Sequence, residues 1–144
     1  HRNVHSSYKD PCQRFFNSIG IDSYIQPHRH SLDPKPESLI AVRGLFALIT
    51  FDNGGKVGDI VHFGTEKYNG TNNISIGVEL GAGIWHTVIA LKDRSVLLEI
   101  KAGPFDITVA KEPAGWAPAE GSYDAAEYLV SLRKVAYSKS HCEG

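Results

Sequence analysis

From Asp22 to about Val109 the chain is written in short runs of β-branched, aliphatic and aromatic residues separated by turn-forming residues. That texture predicts antiparallel strands at Asp22 to His28, Ser38 to Arg43, Leu45 to Phe51, Lys56 to Phe63, Asn73 to Glu79, His86 to Leu91, Ser95 to Ile100 and Phe105 to Val109. Asn53-Gly54-Gly55 and Asn69-Gly70 carry hairpin-turn chemistry. Strands do not alternate with helical patterns, which argues against a doubly wound nucleotide fold. Two segments break the β texture. Asp10-Pro11, followed by Gln13 to Asn17 and closed by Gly20, reads as a short N-terminal helix with an N-cap, a proline at its first position and a terminating glycine. Beyond Pro113, Gly115 and Pro118, the residues Tyr128, Leu129, Leu132, Val135 and Ala136 fall on one helical stripe. They predict a C-terminal helix over about 122–138, capped near Ser122 and packed on the outside of the strands. The expected architecture is a mainly β jelly-roll barrel over about 22–110 with a helix at each end, in one domain spanning 1–144.

Composition narrows the function classes. A chain of 144 residues suits one domain. Lys+Arg 15 against Asp+Glu 16 leaves a net charge of −1, so the basic excess that neutralises phosphates is missing and no nucleic-acid partner is expected. The most apolar window, Leu39 to Phe51, is interrupted by Arg43 and Gly44 and falls short of the roughly 20 residues of a membrane helix, so no membrane partner is expected either. Cys12 and Cys142 form no CxxC, which gives neither a disulfide framework nor a thiolate zinc site. With a polar start lacking an apolar h-region, this predicts a cytoplasmic protein. Asn69-Gly70-Thr71 and Asn73-Ile74-Ser75 are read as chance matches to a glycosylation signal.

The chemistry concentrates in a few places. In Pro27-His28-Arg29-His30 the two histidines are two residues apart, so on a strand both imidazoles reach one face. Glu37 opens the next strand after a proline loop, and Gly81-Ala82-Gly83-Ile84-Trp85-His86 delivers a third histidine at the start of another. Three imidazoles and a carboxylate suit one divalent transition-metal ion, Fe, Ni, Zn, Mn or Co, with positions left for water or substrate. Glu99 and Lys101 share the face opposite Val96, Leu98 and Ile100. They are read either as a catalytic acid–base and an anion contact at a barrel mouth or as a solvent-exposed ion pair. Tyr24 and Gln26 alternate onto the face of His28 and His30, as pocket wall or simple packing. Arg43 is either a pocket cation or the structural partner of an acid, and Trp85 either stacks on a ligand or packs the core.

The order His28-x-His30, Glu37, Gly44 and later Gly83-x-x-His86 resembles the two motifs of the cupin superfamily, although Ser31 to Pro36 place Glu37 further from the histidines than that motif does. A closer resemblance is to the WbuC family of small cupin-fold metalloproteins. It is carried by Arg2-Asn3 with His5, Asp10-Pro11 with Gln13-Arg14, Tyr24 to His30, Pro36-Glu37, Arg43-Gly44, Gly83 to Thr87, Leu98 to Phe105 and Trp116 to Gly121. The resemblance implies a metal-bearing cupin barrel associated with bacterial surface-polysaccharide (O-antigen) gene clusters, and by analogy a homodimer. The expected ligand is a small molecule, a sugar or sugar-derived metabolite. Two readings stand side by side. One is an enzyme of the isomerase, epimerase or lyase kind, or an oxygenase if iron is bound. The other is a non-catalytic metabolite sensor in which the metal is a structural clip.

Overall fold

The computed structural model describes residues 1–67, 74–109 and 111–139. Among these described residues ten strands and one helix follow in order: β1 (Arg2–Asn3), β2 (Cys12–Ile19), β3 (His28–Arg29), β4 (Glu37–Arg43), β5 (Leu45–Phe51), β6 (Val57–Gly64), β7 (Gly77–Leu80), β8 (Trp85–Ala90), β9 (Ser95–Ala102), β10 (Glu112–Pro113) and α1 (Ala125–Lys139). They form two five-stranded sheets, β1-β2-β9-β4-β7 and β10-β3-β8-β5-β6. The sheets face each other as a jelly-roll sandwich. Among the described residues no strand ladder joins them into a closed barrel, and a lone parallel bridge between Phe63 and Ser75 lies outside the strand pairings.

Alternation along the strands builds the interior. Ile19, Leu39, Ala41, Phe46, Leu48, Phe63, Val88, Ala90 and Leu97 meet between the sheets and close one end of the sandwich. The strand β5 is buried on both faces because α1 covers the outside of its sheet. Leu45, Ala47, Ile49 and Phe51 pack there with Ile89, Leu129, Leu132 and Ala136. Ala125, Leu129, Leu132 and Ala136 keep the spacing of one helical stripe, as the apolar pattern predicts. Among the described residues no helix is long and apolar enough to cross a membrane.

One residue lets the chain change sheets. Gly44, between β4 of the first sheet and β5 of the second, has φ +94, and a Cβ there would meet Ser95 Oγ at 2.0 Å. Only glycine tolerates both the conformation and the approach.

Three predicted elements are corrected. The strand expected over Asp22 to His28 is reduced to β3, His28–Arg29, with residues 22–27 outside any strand. The segment expected to be an N-terminal helix is β2, paired with β9 along its whole length from Cys12↔Ala102 to Ile19↔Ser95. Its helix-start signal has another use: Asp10 Oδ1 accepts the Cys12 N–H at 2.9 Å and so turns the chain into the strand. Gln13, Phe15, Asn17 and Ile19 then alternate inward, and pairing outweighs local propensity. Phe105 to Val109 forms turns and not a strand, because Asp106 Oδ1 accepts from Thr108 N–H at 3.0 Å and from its hydroxyl at 2.7 Å. The Asn69-Gly70 turn, both Asn-x-Ser/Thr sites and Cys142 involve residues outside those described.

Candidate metal centre

His28 on β3 is the direct cross-strand partner of His86 on β8. The two-residue period of an extended chain puts His30 on the same inward side. Ring centroids are 4.4 Å apart for His28 and His86, 5.3 Å for His28 and His30 and 5.9 Å for His30 and His86. One ring nitrogen from each lies within 4.8 Å of the others, a group able to hold a metal ion. The intervening Arg29 points outward and pins the short β3. Its Nε donates to Glu112 on β10 at 2.8 Å, and its guanidinium lies 4.3 Å over the Trp85 ring, next to His86.

Glu37 comes from the facing sheet. It opens β4, pairs across to Lys101 of β9 and is buried, at 6% exposure. Its Oε1 stands 2.7 Å from His30 Nε2 and 3.7 Å from Lys101 Nζ. Glu99, two residues before Lys101, lies between Phe15 of β2 and Leu39 of β4 in register.

The backbone sets the histidine tautomers. His28 Nδ1 lies 2.9 Å from the Gln26 carbonyl and His86 Nδ1 lies 2.8 Å from that of Ile84. A carbonyl only accepts, so each Nδ1 carries a proton, and in the neutral ring the Nε2 lone pair is left to ligate. Burial, aided by the charges of His86 and Lys111, pushes His28 down to about 3, and burial lowers His86 as well. Both are therefore neutral at pH 7, the protonation state a metal requires. Burial alone would raise Glu37, but the hydrogen bond with His30 and the charges of His30, His86 and Lys101 outweigh it and hold the carboxyl down to about 2. Burial, then the negative charge of Glu37, pushes Glu99 up to about 8 against the pull of Lys101 and Lys111. The site thus pairs one ionised carboxylate with one that keeps its proton near neutrality.

These groups line a cavity of about 560 Å³, within the range of small-molecule sites. Its apolar wall includes Phe15, Ile25, Leu39, Val88 and Phe105. Of the residues singled out in the sequence, His28, His30, Glu37, His86, Glu99 and Lys101 all line it.

Tyr24, Gln26, Arg43 and Trp85 are placed elsewhere. The Tyr24 hydroxyl donates to the Pro118 carbonyl at 2.7 Å, and its ring meets Tyr128 of α1 edge-on. The Gln26 amide donates to the Ala114 carbonyl at 3.0 Å, leaving its backbone carbonyl as its link to His28. Arg43 is exposed at the end of β4. Trp85 packs in the outer core and donates to Asn53 Oδ1 at 3.2 Å. The same-face argument for Tyr24 and Gln26 fails because residues 24–27 lie outside the ladder, so strand alternation does not extend back from His28.

Among the further polar residues that the structure brings to the cavity are Lys111, Glu120 and His5. Lys111 comes from the edge near β10, far along the chain, and no local pattern marks it. His5 is legible as a histidine but not as a wall, because its position depends on a partner strand.

Comparisons with known proteins agree on the architecture. A family model described as a domain of unknown function (DUF6016) matches residues 1–63. Among curated proteins none matches. Protein SO0799 from Shewanella oneidensis is similar at TM-score 0.60 and 11% identity, over 96% of this chain and 83% of that one. The TDP-quinovose 3,4-ketoisomerase WlaRB from Campylobacter jejuni is similar at TM-score 0.54 and 14% identity, over 81% of this chain and 79% of that one. A single-site variant of oxalate decarboxylase from B. subtilis gives TM-score 0.53 and 13% identity over 72% of this chain, which spans only 24% of that protein. The chain has a cupin fold. On this fold the inward-facing histidines of β3 and β8 sit within the sandwich, and their donor set suits a borderline divalent ion.

Proposed function

We propose that this cupin protein binds one divalent transition-metal ion through His28, His30, His86 and Glu37 and acts on a sugar or sugar-derived small molecule in the adjoining cavity. The observation that carries the reading is the histidine cluster, with Nδ1 of His28 and His86 tied to backbone carbonyls and one ring nitrogen from each histidine gathered within 4.8 Å. When bound, the ion would supply Lewis-acid polarisation of a substrate carbonyl or hydroxyl. The remaining work belongs to the protein. Lys101 Nζ stands 3.7 Å from the same Glu37 oxygen that meets His30 and steadies its charge. Glu99, protonated near neutrality, gives a proton to a substrate oxygen or, once ionised, takes one from a substrate carbon. That pairing favours isomerase, epimerase or lyase chemistry, and the fold shared with a sugar 3,4-ketoisomerase is consistent with it. The association with surface-polysaccharide metabolism is the finer part of the proposal and rests on the WbuC-like sequence stretches.

Elemental analysis of the purified protein beside a His28→Ala/His30→Ala variant tests the reading. Close to one equivalent of transition metal in the wild type, lost in the variant, is expected. No metal in either, and none taken up on incubation with divalent ions, overturns it.

A further inference from the structure

His5 lines the same cavity as the histidine cluster but lies at its other side, beyond the edge of β2. It is buried, at 8% exposure, and its Nε2 has no hydrogen-bond partner among the described residues. The backbone beside it fixes where its proton sits. The Arg14 carbonyl already accepts the Val4 N–H at 2.8 Å, continuing the pairing of β1 with β2. The Arg14 N–H points to the same edge and meets His5 Nδ1 at 2.9 Å, while Nδ1 lies 2.8 Å from the Arg14 carbonyl. An N–H can only donate, and the carbonyl is already served. Satisfying both backbone groups puts the lone pair on Nδ1 and the proton on Nε2. The result is an enclosed donor without an acceptor, in the wall of a cavity, and such a group costs stability unless a ligand or water completes it.

The position of this donor bears on ligand shape. Glu37 is on β4 and Arg14, the partner of His5, on β2, with β9 between them, so the two backbones are two strand spacings apart, about 10 Å. The two ends differ in charge. At the histidine end Lys101 offsets Glu37 and Lys111 is paired with Glu120 at 3.7 Å, so a dication held there leaves a surplus of positive charge that favours an anionic group. At the other end His5 offers a neutral N–H, suited to a hydroxyl. Between them, Phe15 provides an apolar surface.

We infer that His5 is a ligand-recognition residue whose Nε2–H donates to a hydroxyl of an elongated polyhydroxy acid, the carboxylate of which lies at the histidine end. The inference rests on the metal-centre reading above and deepens it by naming the substrate class.

The test uses Co²⁺-loaded protein titrated calorimetrically with D-gluconate and, as a short probe that reaches only the histidine end, acetate. Wild-type protein should bind gluconate at least about tenfold more tightly than acetate. His5→Asn keeps an acceptor for the Arg14 N–H through its short amide but does not reach the place of Nε2. It should leave the melting temperature and acetate binding unchanged and weaken gluconate by about fivefold, the worth of one neutral hydrogen bond. His5→Gln, whose longer amide reaches the place of Nε2, should retain gluconate binding even if the edge of β2 loses stability. Gluconate no tighter than acetate in the wild type, or unchanged in His5→Asn, overturns the inference while Co²⁺ binding leaves the metal centre standing. Failure of the wild type to bind Co²⁺, seen in its absorption spectrum before any acid is added, removes the metal-centre reading and this inference with it.

Discussion

His28 and His86 are direct cross-strand partners, and each has its Nδ1 within hydrogen-bond reach of the carbonyl two residues earlier in its own segment, Gln26 in one case and Ile84 in the other. The same local device in two segments therefore leaves an Nε2 lone pair free on each of two adjoining rings. The backbone, with no side-chain acid involved, acts as the outer support of both rings. Removing either ring should lower the affinity for Zn²⁺ or Co²⁺ by more than about tenfold, the lower bound seen when even outer supports of a metal site are lost. Competition with a chromophoric chelator measures this for His28→Ala and His86→Ala separately. Affinity unchanged in either would remove that residue from the ligand set.

Glu99 predicts a distinctive pH dependence. Its folded-state pKa is raised to about 8, whereas an unfolded-chain glutamate ionises near 4.5. Between those values the unfolded state releases the proton and the folded state keeps it. The contribution of Glu99 to stability is thus present below pH 4.5 and is lost as pH rises through 8. Glu99→Gln, neutral at every pH, should flatten the fall in melting temperature between pH 5 and 8 and be the more stable protein at pH 8. Parallel melting curves for the two proteins across that range would refute the assignment.

Gly44 should be intolerant of any side chain. Its φ of +94 and the 2.0 Å approach to Ser95 Oγ, with Ser95 Cα at 2.9 Å, leave no room for a methyl group without moving backbone. Gly44→Ala is expected to cost at least about 2 kcal/mol. Denaturant unfolding measures it, and a loss under about 0.5 kcal/mol, the usual surface value, would contradict the geometry.

Stability and site chemistry should separate at α1. Leu132, 2% exposed against the outer face of the second sheet, packs on the side away from the cavity. Leu132→Ala should destabilise by about 2–5 kcal/mol yet leave metal affinity within twofold at a temperature where both proteins are folded. A matching loss of metal binding would mean that the helix supports β8 and its histidine directly.

Where local pattern and tertiary demand agree, the chain was readable. The strand β5 is legible at its observed limits because it is bounded by Gly44 and by the Asp52-Asn53-Gly54-Gly55 turn, and because its residues, Thr50 apart, are apolar on both faces. The helix α1 was readable from its stripe. The segment 12–19 was not. Its helix-start residues and a terminating glycine are genuine local signals, and only an eight-residue pairing with β9, far along the chain, decides for a strand. The cavity divides in the same way. His28 and His30 declare themselves by spacing and His86 by its glycine-rich approach, while Glu99 and Lys101 are ambiguous between a mouth and an exposed face until β2 and β4 are seen on either side of β9. His5 gains its place from Arg14 on the neighbouring strand and Lys111 stands beside Glu120, and no periodicity of their own announces either as cavity wall.

His28 and His86 belong to one sheet, with His30 just past the end of β3, and Glu37 belongs to the other, so the 2.7 Å contact between His30 and Glu37 is a rivet across the sandwich. At the far end Phe46 and Phe63, stacked 5.3 Å apart, close the interior with apolar contacts alone. The interior is therefore bound like a book, with an oily spine at one end and a polar clasp at the other. Any ion held at the clasp touches both covers, so its binding ties the two sheets together.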